Sequence, residues 1–379
     1  MFKKNNSLSF TDGSPANLLL VGDNIYSLQY LMNEYKGKIK FIYIDPPYGS
    51  GCKKGKCRVL YNNFNERDIL IDFLRERIKL AYDLLRDDGV FYLHCDMRNL
   101  AYFNILCNEI FGENNFISIL IWKRKYVGFP HDKHYSSLHD FILCFKKKDF
   151  VLIKDKEIKQ NYYRYEHNGR KCMFNQVQRK GVEFSDFYTI TNPDGIELSE
   201  RWNVKKETFL KKEKEGLIVW RKNKNGVKYP YSVSYEKENH CMVNDYICES
   251  SNVHSTNLVK QIFNDKNIFS FSKPYELIRY LLKYSTDKDD LILDFFAGSG
   301  STGHAVLDLN KQDGGSRKFI LCQNNEKMYT APNGIAYDVT AKRLKRVMTG
   351  ECYDGTKPEA WLKKNEHYGG SLDVYDYIE

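Results

Sequence analysis

Two short segments hold the residues with the most chemistry. The first is Asp45-Pro46-Pro47-Tyr48. An exocyclic amine on an aromatic base delocalises its lone pair into the ring and is a poor nucleophile. Acceptors placed on its two N–H groups favour a tetrahedral nitrogen with the lone pair exposed. The Asp45 carboxylate can accept one N–H and the Pro46 carbonyl the other, with the rigid Pro46-Pro47 pair holding that carbonyl outward. Fixed acceptors of this kind are preorganised electrostatics. Tyr48 adds a face on which a base can stack. Without a function, the same residues are a proline-stiffened loop.

The second segment is Asp294-Phe295-Phe296-Ala297-Gly298-Ser299-Gly300-Ser301-Thr302-Gly303. Gly298, Gly300 and Gly303 let the backbone turn sharply and approach a ligand, in a spacing that several nucleotide cofactors share. Asp294 can take a ligand ammonium group. No Gly-Lys-Ser/Thr is present, so the loop is not a Walker A motif. A tight strand-to-helix turn with no ligand is the plain alternative.

The elements that must position these segments alternate between strand and helix. Strands are predicted at residues 17–21, 39–44, 89–94, 116–122, 140–145, 290–294 and 319–322. Helical periodicity follows at 25–32, 66–86, 99–111, 275–284, 301–309 and 339–347. This order predicts an α/β fold with a doubly wound, mostly parallel, seven-stranded sheet. Residues 1–150 and 269–350 form its two parts. Residues 151–268 lose the alternation and read as an inserted domain, and 351–379 as a loop-like tail.

The formal charge of +9 comes from 58 basic and 49 acidic residues. Residues 123–267 hold 28 Lys and Arg against 19 Asp and Glu, so the whole excess sits in this central block. Its basic clusters (Lys123-Arg124-Lys125, Lys146-Lys147-Lys148, Arg170-Lys171, Lys205-Lys206, Arg221-Lys222) are interleaved with Trp122, Tyr126, Phe129, Tyr162, Tyr163, Tyr165, Trp202 and Trp220. That composition suits a polyanion, and singly each cluster is also an ordinary solvated surface. No apolar stretch of transmembrane length and no signal-peptide core is present, so no membrane association is expected. The ten cysteines are scattered. Cys52 and Cys57, and the group His240, Cys241, Cys248 and His254, match no zinc spacing. No metal is expected, and reduced thiols fit a cytoplasmic protein.

The tetrad followed by the glycine loop resembles the amino-methyltransferases of DNA. The order of tetrad, central block and glycine loop is similar to the permuted beta group, which includes the modification subunits of type III restriction systems. The likeness runs along most of the chain. The segment through Gly22-Asp23-Asn24 resembles the one that contacts the cofactor adenine, and Lys273-Pro274 the one leading to its methionine end. The strand before Gln323 resembles the one whose tip reaches the ribose hydroxyls, through Gln323 or Glu326. The resemblance implies a permuted Rossmann-like fold and S-adenosylmethionine as cofactor. It also implies cofactor contacts at Asp23, Lys273, Asp294, Phe296, Gly298, Gly300, Ser301, Thr302, Gln323 and Glu326. Asp45, Pro46, Pro47 and Tyr48 would be catalytic, and the central block would read double-stranded DNA. A nuclease subunit and a second copy of the chain are the further partners it implies.

Transfer would be direct, to N6 of an adenine flipped out of the duplex. Asp45 favours adenine over N4 of cytosine, where relatives more often carry Ser. No Cys stands in the Pro-Cys context that ring-carbon methylation needs. A catalytically silent DNA-binding partner is the competing reading from another class, and a dinucleotide oxidoreductase leaves the tetrad unexplained.

Overall fold

The computed structural model describes residues 1–48, 67–128, 134–153, 163–178, 186–235, 243–248, 250–265, 268–269 and 272–378. Cys52, Cys57, Phe129, Tyr162, His240 and Cys241 lie outside them. The chain divides into two compact units, Met1–Ile153 with Val243–Glu379, and Lys154–Met242.

The first unit begins β1 (Phe2–Lys4), β2 (Ala16–Val21), α1 (Asn24–Tyr35), β3 (Ile39–Ile44), α2 (Arg67–Leu84), β4 (Leu85–Cys95), α3 (Leu100–Phe111), β5 (Phe116–Lys123) and β6 (His139–Lys146). The second unit holds β7 (Tyr165–His167), β8 (Arg170–Gln176), β9 (Asp186–Thr191), β10 (Glu197–Trp202), α4 (Lys206–Lys214), β11 (Ile218–Lys222) and β12 (Lys228–Tyr235). The chain then returns with β13 (Tyr246–Ile247), α5 (Asn252–Phe263), α6 (Tyr275–Lys283), β14 (Leu291–Asp294), α7 (Ser301–Asp313) and β15 (Lys318–Gln323). A π-helical turn, Ala336–Ala341, runs into α8 (Lys342–Thr349), followed by α9 (Glu359–Leu362) and β16 (Ser371–Tyr377).

One sheet orders the first unit as β1-β16-β2-β15-β14-β3-β4-β6-β5-β13. Strands β16, β2, β15, β14, β3 and β4 are mutually parallel, and β6 runs against β4 and β5. All six residues of β3 are buried, as a strand covered on both faces requires. Their side chains alternate between two cores. Phe41 and Tyr43 join Ala305, Val306, Leu277 and Val347 from α7, α6 and α8. Ile42 and Ile44 join Leu28, Leu74, Ile78 and Phe103 from α1, α2 and α3. The helix after β14 therefore covers one face and the helix after β3 the other. The neighbours β14 and β3 form the topological switch point, where an open parallel sheet leaves a crevice beyond its strand ends.

Seven of the ten strands stand where the sequence predicts them. The other three lie at the sheet margins and correct the expected count. The tail is not loop-like throughout: β16 pairs in parallel with β2 and antiparallel with β1, and buries Leu372 and Val374. Strand β13 pairs with β5, and α5 buries Val259, Ile262 and Phe263. The compact insert consequently ends at Met242, well before the expected boundary at residue 268.

The second unit is mixed, with six strands and one helix among its described residues. Its strands form an antiparallel sheet, β11-β12-β8-β7, and a β9–β10 hairpin. Val177, Ile190, Leu198, Trp202 and Phe209 make its core. On the sheet, the Arg221 guanidinium lies 4.9, 5.2 and 5.7 Å from the ring centres of Tyr165, Phe174 and Tyr231. Among the described residues no helix is long and apolar enough to cross a membrane.

Candidate functional site

Asp45 directly follows β3, and Asp294 closes the adjacent β14. With Ile292 and Leu293 in register with Phe41 and Ile42, both carboxylates and the segments after them leave the same edge of the sheet. The topology thus brings together two motifs about 250 residues apart in the chain.

At the tetrad, the Tyr48 hydroxyl donates to Asp45 Oδ1. Lys273 Nζ lies 3.1 Å from Asp45 Oδ2 and donates to the Tyr48 hydroxyl at 3.2 Å. Burial, followed by the charge of Asp45, holds the Tyr48 phenol well above its ordinary range, so it remains a donor. Asn99 donates to the Tyr48 carbonyl (3.0 Å) and to Asp96 (2.9 Å), which fixes the end of the tetrad against the start of α3.

Behind Asp45, the buried His94 ring meets the Tyr43 hydroxyl through Nδ1 at 2.9 Å. Its Nε2 lies 3.5 Å from Asp140, which pairs with Arg124 at 3.1 Å. Burial, then the Lys273 charge, pushes the His94 pKa down. Burial pushes the Asp140 carboxyl up, but His94, Lys273 and Arg124 outweigh it and hold Asp140 below its usual range.

The glycine loop is built as a tight cradle. Gly300 has φ +78°, a left-handed conformation, and is the N-cap of α7. A Cβ there would stand 3.3 Å from the Thr340 methyl. Gly298 has φ +52°, yet among the described residues a Cβ on it would meet no atom closer than 3.9 Å. Its N–H donates to Gln323 Oε1 at 2.7 Å, and its carbonyl accepts from Thr340 Oγ1 at 2.6 Å. Asp294 accepts from Thr302 Oγ1 (2.5 Å) and from the Phe296 N–H (3.0 Å). Burial nevertheless pushes its carboxyl up to about 7, with the Asp45 charge adding to the effect. Ser301 donates to the Lys273 carbonyl at 2.7 Å, tying the loop to the segment that carries Lys273.

Asp23 caps α1 by accepting from the Ile25 N–H at 3.0 Å. Arg77 on α2 reaches both Asp23 (2.8 Å) and Asn24 (2.5 Å), and Asn24 donates to the Phe295 carbonyl at 2.7 Å. The Phe73 ring lies 3.5 Å under the Arg77 guanidinium and 6.2 Å from Phe296.

The structure places every site residue named from the sequence at this edge of the sheet or in the segments leaving it. Gln323 is turned inward to the loop backbone, and the Glu326 carbonyl accepts from Ile335 at 2.9 Å. Sequence reasoning passed over Arg77, Arg343, Ser272, Ser299 and Thr340. Each is joined to the loop or to Asp23 by hydrogen bonds across long sequence separations. The one local sign was a charged residue on the apolar side of a helix, at Arg77 and Arg343.

The DNA methylase family model matches residues 39–333. The chain belongs to that family. It is 28% identical over 370 residues to the Type III restriction-modification enzyme StyLTI Mod subunit of Salmonella typhimurium, covering 87% of this chain and 57% of that one. It is 29% identical over 376 residues to Type II methyltransferase M.KpnI of Klebsiella pneumoniae, covering 88% of each. It is 23% identical over 344 residues to DNA adenine methyltransferase YhdJ of Escherichia coli, again covering 88% of each. The chain thus spans little more than half the length of the Salmonella subunit.

Proposed function

We propose that the chain is a DNA methyltransferase that moves a methyl group from S-adenosylmethionine to N6 of an adenine flipped out of double-stranded DNA. The observation that carries this is the tetrad and the glycine loop flanking one switch point, joined by Lys273. The family, and the similarity to the methyltransferases M.KpnI and YhdJ, support it.

The donor fits what the loop offers. A Cβ on Gly298 would make only ordinary contacts, at 3.9 Å to Phe269 and Phe296, and the acidic Asp294 suits an ammonium group. In this reading Asp23 takes the donor's adenine and Glu326 its ribose, while Gln323 braces the loop. Phe296, Gly300, Ser301 and Thr302 shape the wall, and Lys273 faces the donor's carboxylate. The bound donor supplies an electrophilic methyl on a sulfonium. This chain's residues do the rest. Asp45 and the Pro46 carbonyl accept the two N–H groups of the amine, and Tyr48 stacks on the base. Lys273 now lies on the Asp45 oxygen that an incoming N–H would use. Lys273 would turn from Asp45 to hold the donor's carboxylate, which would leave that oxygen open to the amine.

The Lys154–Met242 unit is the proposed DNA-reading part, on the strength of its basic clusters and the Arg221 guanidinium set among three rings. The name of the Salmonella relative supports a place in a restriction-modification system, with a nuclease subunit and a second copy of this chain as partners to seek by co-purification and sedimentation. The experiment for the core reading is labelled S-adenosylmethionine with AT-rich and GC-rich duplexes, followed by nucleoside analysis. N6-methyladenine from the unaltered chain, absent with Asp45→Ala, is expected. N4-methylcytosine would overturn the base assignment alone.

A further inference from the structure

Arg343 on α8 is physically out of balance. Its side chain is fully buried, and every acceptor it reaches among the described residues is neutral. Nη1 donates to the hydroxyls of Ser299 (2.8 Å), Ser301 (3.0 Å) and Ser272 (3.2 Å) and to the Ser299 carbonyl (3.4 Å). Nη2 lies 3.2 Å from His304 Nδ1. A guanidinium only donates, so that nitrogen accepts and the His304 proton sits on Nε2. Burial, then the charges of Arg343 and Arg279, keeps this ring neutral. Nε2 lies 3.3 Å from the Tyr368 hydroxyl, which donates to Asp308. That carboxylate already pairs with Arg279 at 2.6 Å. Glu276, the carboxylate whose charge Arg343 feels, pairs with His254 at 3.0 Å. Among the described residues the Arg343 Nε has no hydrogen-bond partner.

A buried cation without a counter-charge is costly. Burial pushes this guanidinium down to about 10, which is the same cost seen from the proton's side. Gathering three serine hydroxyls would need only a neutral donor, so the charge itself calls for a reason. Its position supplies one. Ser299 lies within the glycine loop, Ser301 opens α7, and Ser272 precedes Lys273. These are the segments that meet at the amino-acid end of the proposed donor. A carboxylate set on the loop would lie at the start of α7, where the helix dipole also favours negative charge. Hydroxyls that accept from a guanidinium are polarised to donate more strongly in turn. Ser301 donates its one proton to the Lys273 carbonyl at 2.7 Å, so through it the effect reaches the segment that carries Lys273.

We infer that Arg343 is a positioning residue for the carboxylate of the donor, acting through Ser272, Ser299 and Ser301, with the donor's negative charge completing its own. The inference rests on the reading of the chain as an S-adenosylmethionine enzyme. It adds that recognition of the carboxylate is set from behind the loop, by a residue the donor never touches.

The test compares binding of S-adenosylmethionine with that of its decarboxylated form, by calorimetry on the full chain. The unaltered protein is expected to prefer the carboxylated ligand. In Arg343→Gln the affinity for S-adenosylmethionine should fall about tenfold, the scale of one lost charge-assisted interaction. Affinity for the decarboxylated form should hold within about twofold, so the preference collapses. Equal losses for both ligands would make Arg343 a structural staple and overturn the inference. So would an unaltered protein that binds both ligands equally. Binding of neither ligand by the unaltered protein would overturn the proposed function itself. If Arg343→Gln does not fold, Ser299→Ala carries the same comparison. It removes the closest hydroxyl and should reduce the preference, and an unchanged preference would overturn the inference.

Discussion

Acidifying the solution should weaken donor binding through one carboxyl group, Asp294. Its pKa of about 7 arises from burial, with the hydrogen bonds from Thr302 and Phe296 opposing it and the Asp45 charge adding to it. A donor ammonium placed there needs the ionised form. A group of pKa 7 is about 76% ionised at pH 7.5 and about 3% at pH 5.5, so the donor's Kd should rise roughly 25-fold between them. Binding at pH 7 should also release about half a proton, visible as a buffer-dependent heat in calorimetry. Asp294→Asn should bind weakly and with little pH dependence. A Kd for the unaltered chain that stays flat from pH 5.5 to 8, with no proton released, would refute the reasoning. The same group leaves a mark on stability. Its folded pKa lies above the unfolded value of 3.8, so the native state holds the proton more tightly. The resulting stabilisation is full below pH 3.8 and is lost as pH rises through 7, a difference of about 4 kcal/mol by pH 8. Asp88 and Asp140 are held below the ordinary carboxylate range and titrate below this window. Relative to Asp294→Asn, the urea midpoint of the unaltered chain without donor should therefore fall between pH 5 and pH 8. His94 and His304, held neutral by burial, gain stability as pH rises through 6.5 and do so equally in both proteins.

Two substitutions separate shape from chemistry at the site. Gly300→Ala forces a side chain onto φ +78° with the Thr340 methyl 3.3 Å away, and should cost about 1–2 kcal/mol in urea unfolding, the scale of a left-handed L-residue. An unchanged midpoint would mean that the loop relaxes freely. Tyr48→Phe keeps the ring but removes the hydroxyl that donates to Asp45, whereas Tyr48→Ala removes the stacking face as well. Tyr48→Ala should lose about 1–3 kcal/mol more DNA affinity than Tyr48→Phe. Equal losses would count against base stacking.

The central strands were legible because a strand buried on both faces leaves a nearly continuous apolar run, broken in residues 39–44 by Lys40 alone, and because regular alternation with helices admits few topologies. The margins were not. Strand β16 reads Ser-Leu-Asp-Val-Tyr-Asp-Tyr, and only its Ser371, Leu372 and Val374 are buried, so its apolar signal is brief and sits after a long turn-rich stretch. Helix α5 mixes Asn, His, Ser and Thr with its apolar residues. Ser255 is fully buried there and donates to the Ser272 carbonyl at 2.7 Å, so a polar residue occupies a core position that periodicity assigns to an apolar one. The insert defeated pattern reading for a related reason. Its small core draws on a few residues from short strands, and the rings around Arg221 remain partly exposed.

The site divides along the same physical line. The tetrad and the glycine loop were readable because each is a local rule broken in one place: two prolines ending a strand, and glycines bunched where a helix must start. Arg77 and Arg343 break a rule more faintly. In sequence each is a basic residue on the apolar side of an amphipathic helix, a sign easily taken for a solvated flank. In the fold each is buried, and Arg343 holds hydroxyls from segments 42, 44 and 71 residues away. A protein keeps such a local conflict where something outside the hydrophobic core depends on it. Both arginines lie directly behind the residues proposed to hold the two ends of one ligand: Arg77 behind Asp23, and Arg343 behind Ser299 and Ser301. The crevice at the switch point is therefore fixed from beneath at both ends by buried cations, and its selectivity should answer to substitutions that never touch the ligand.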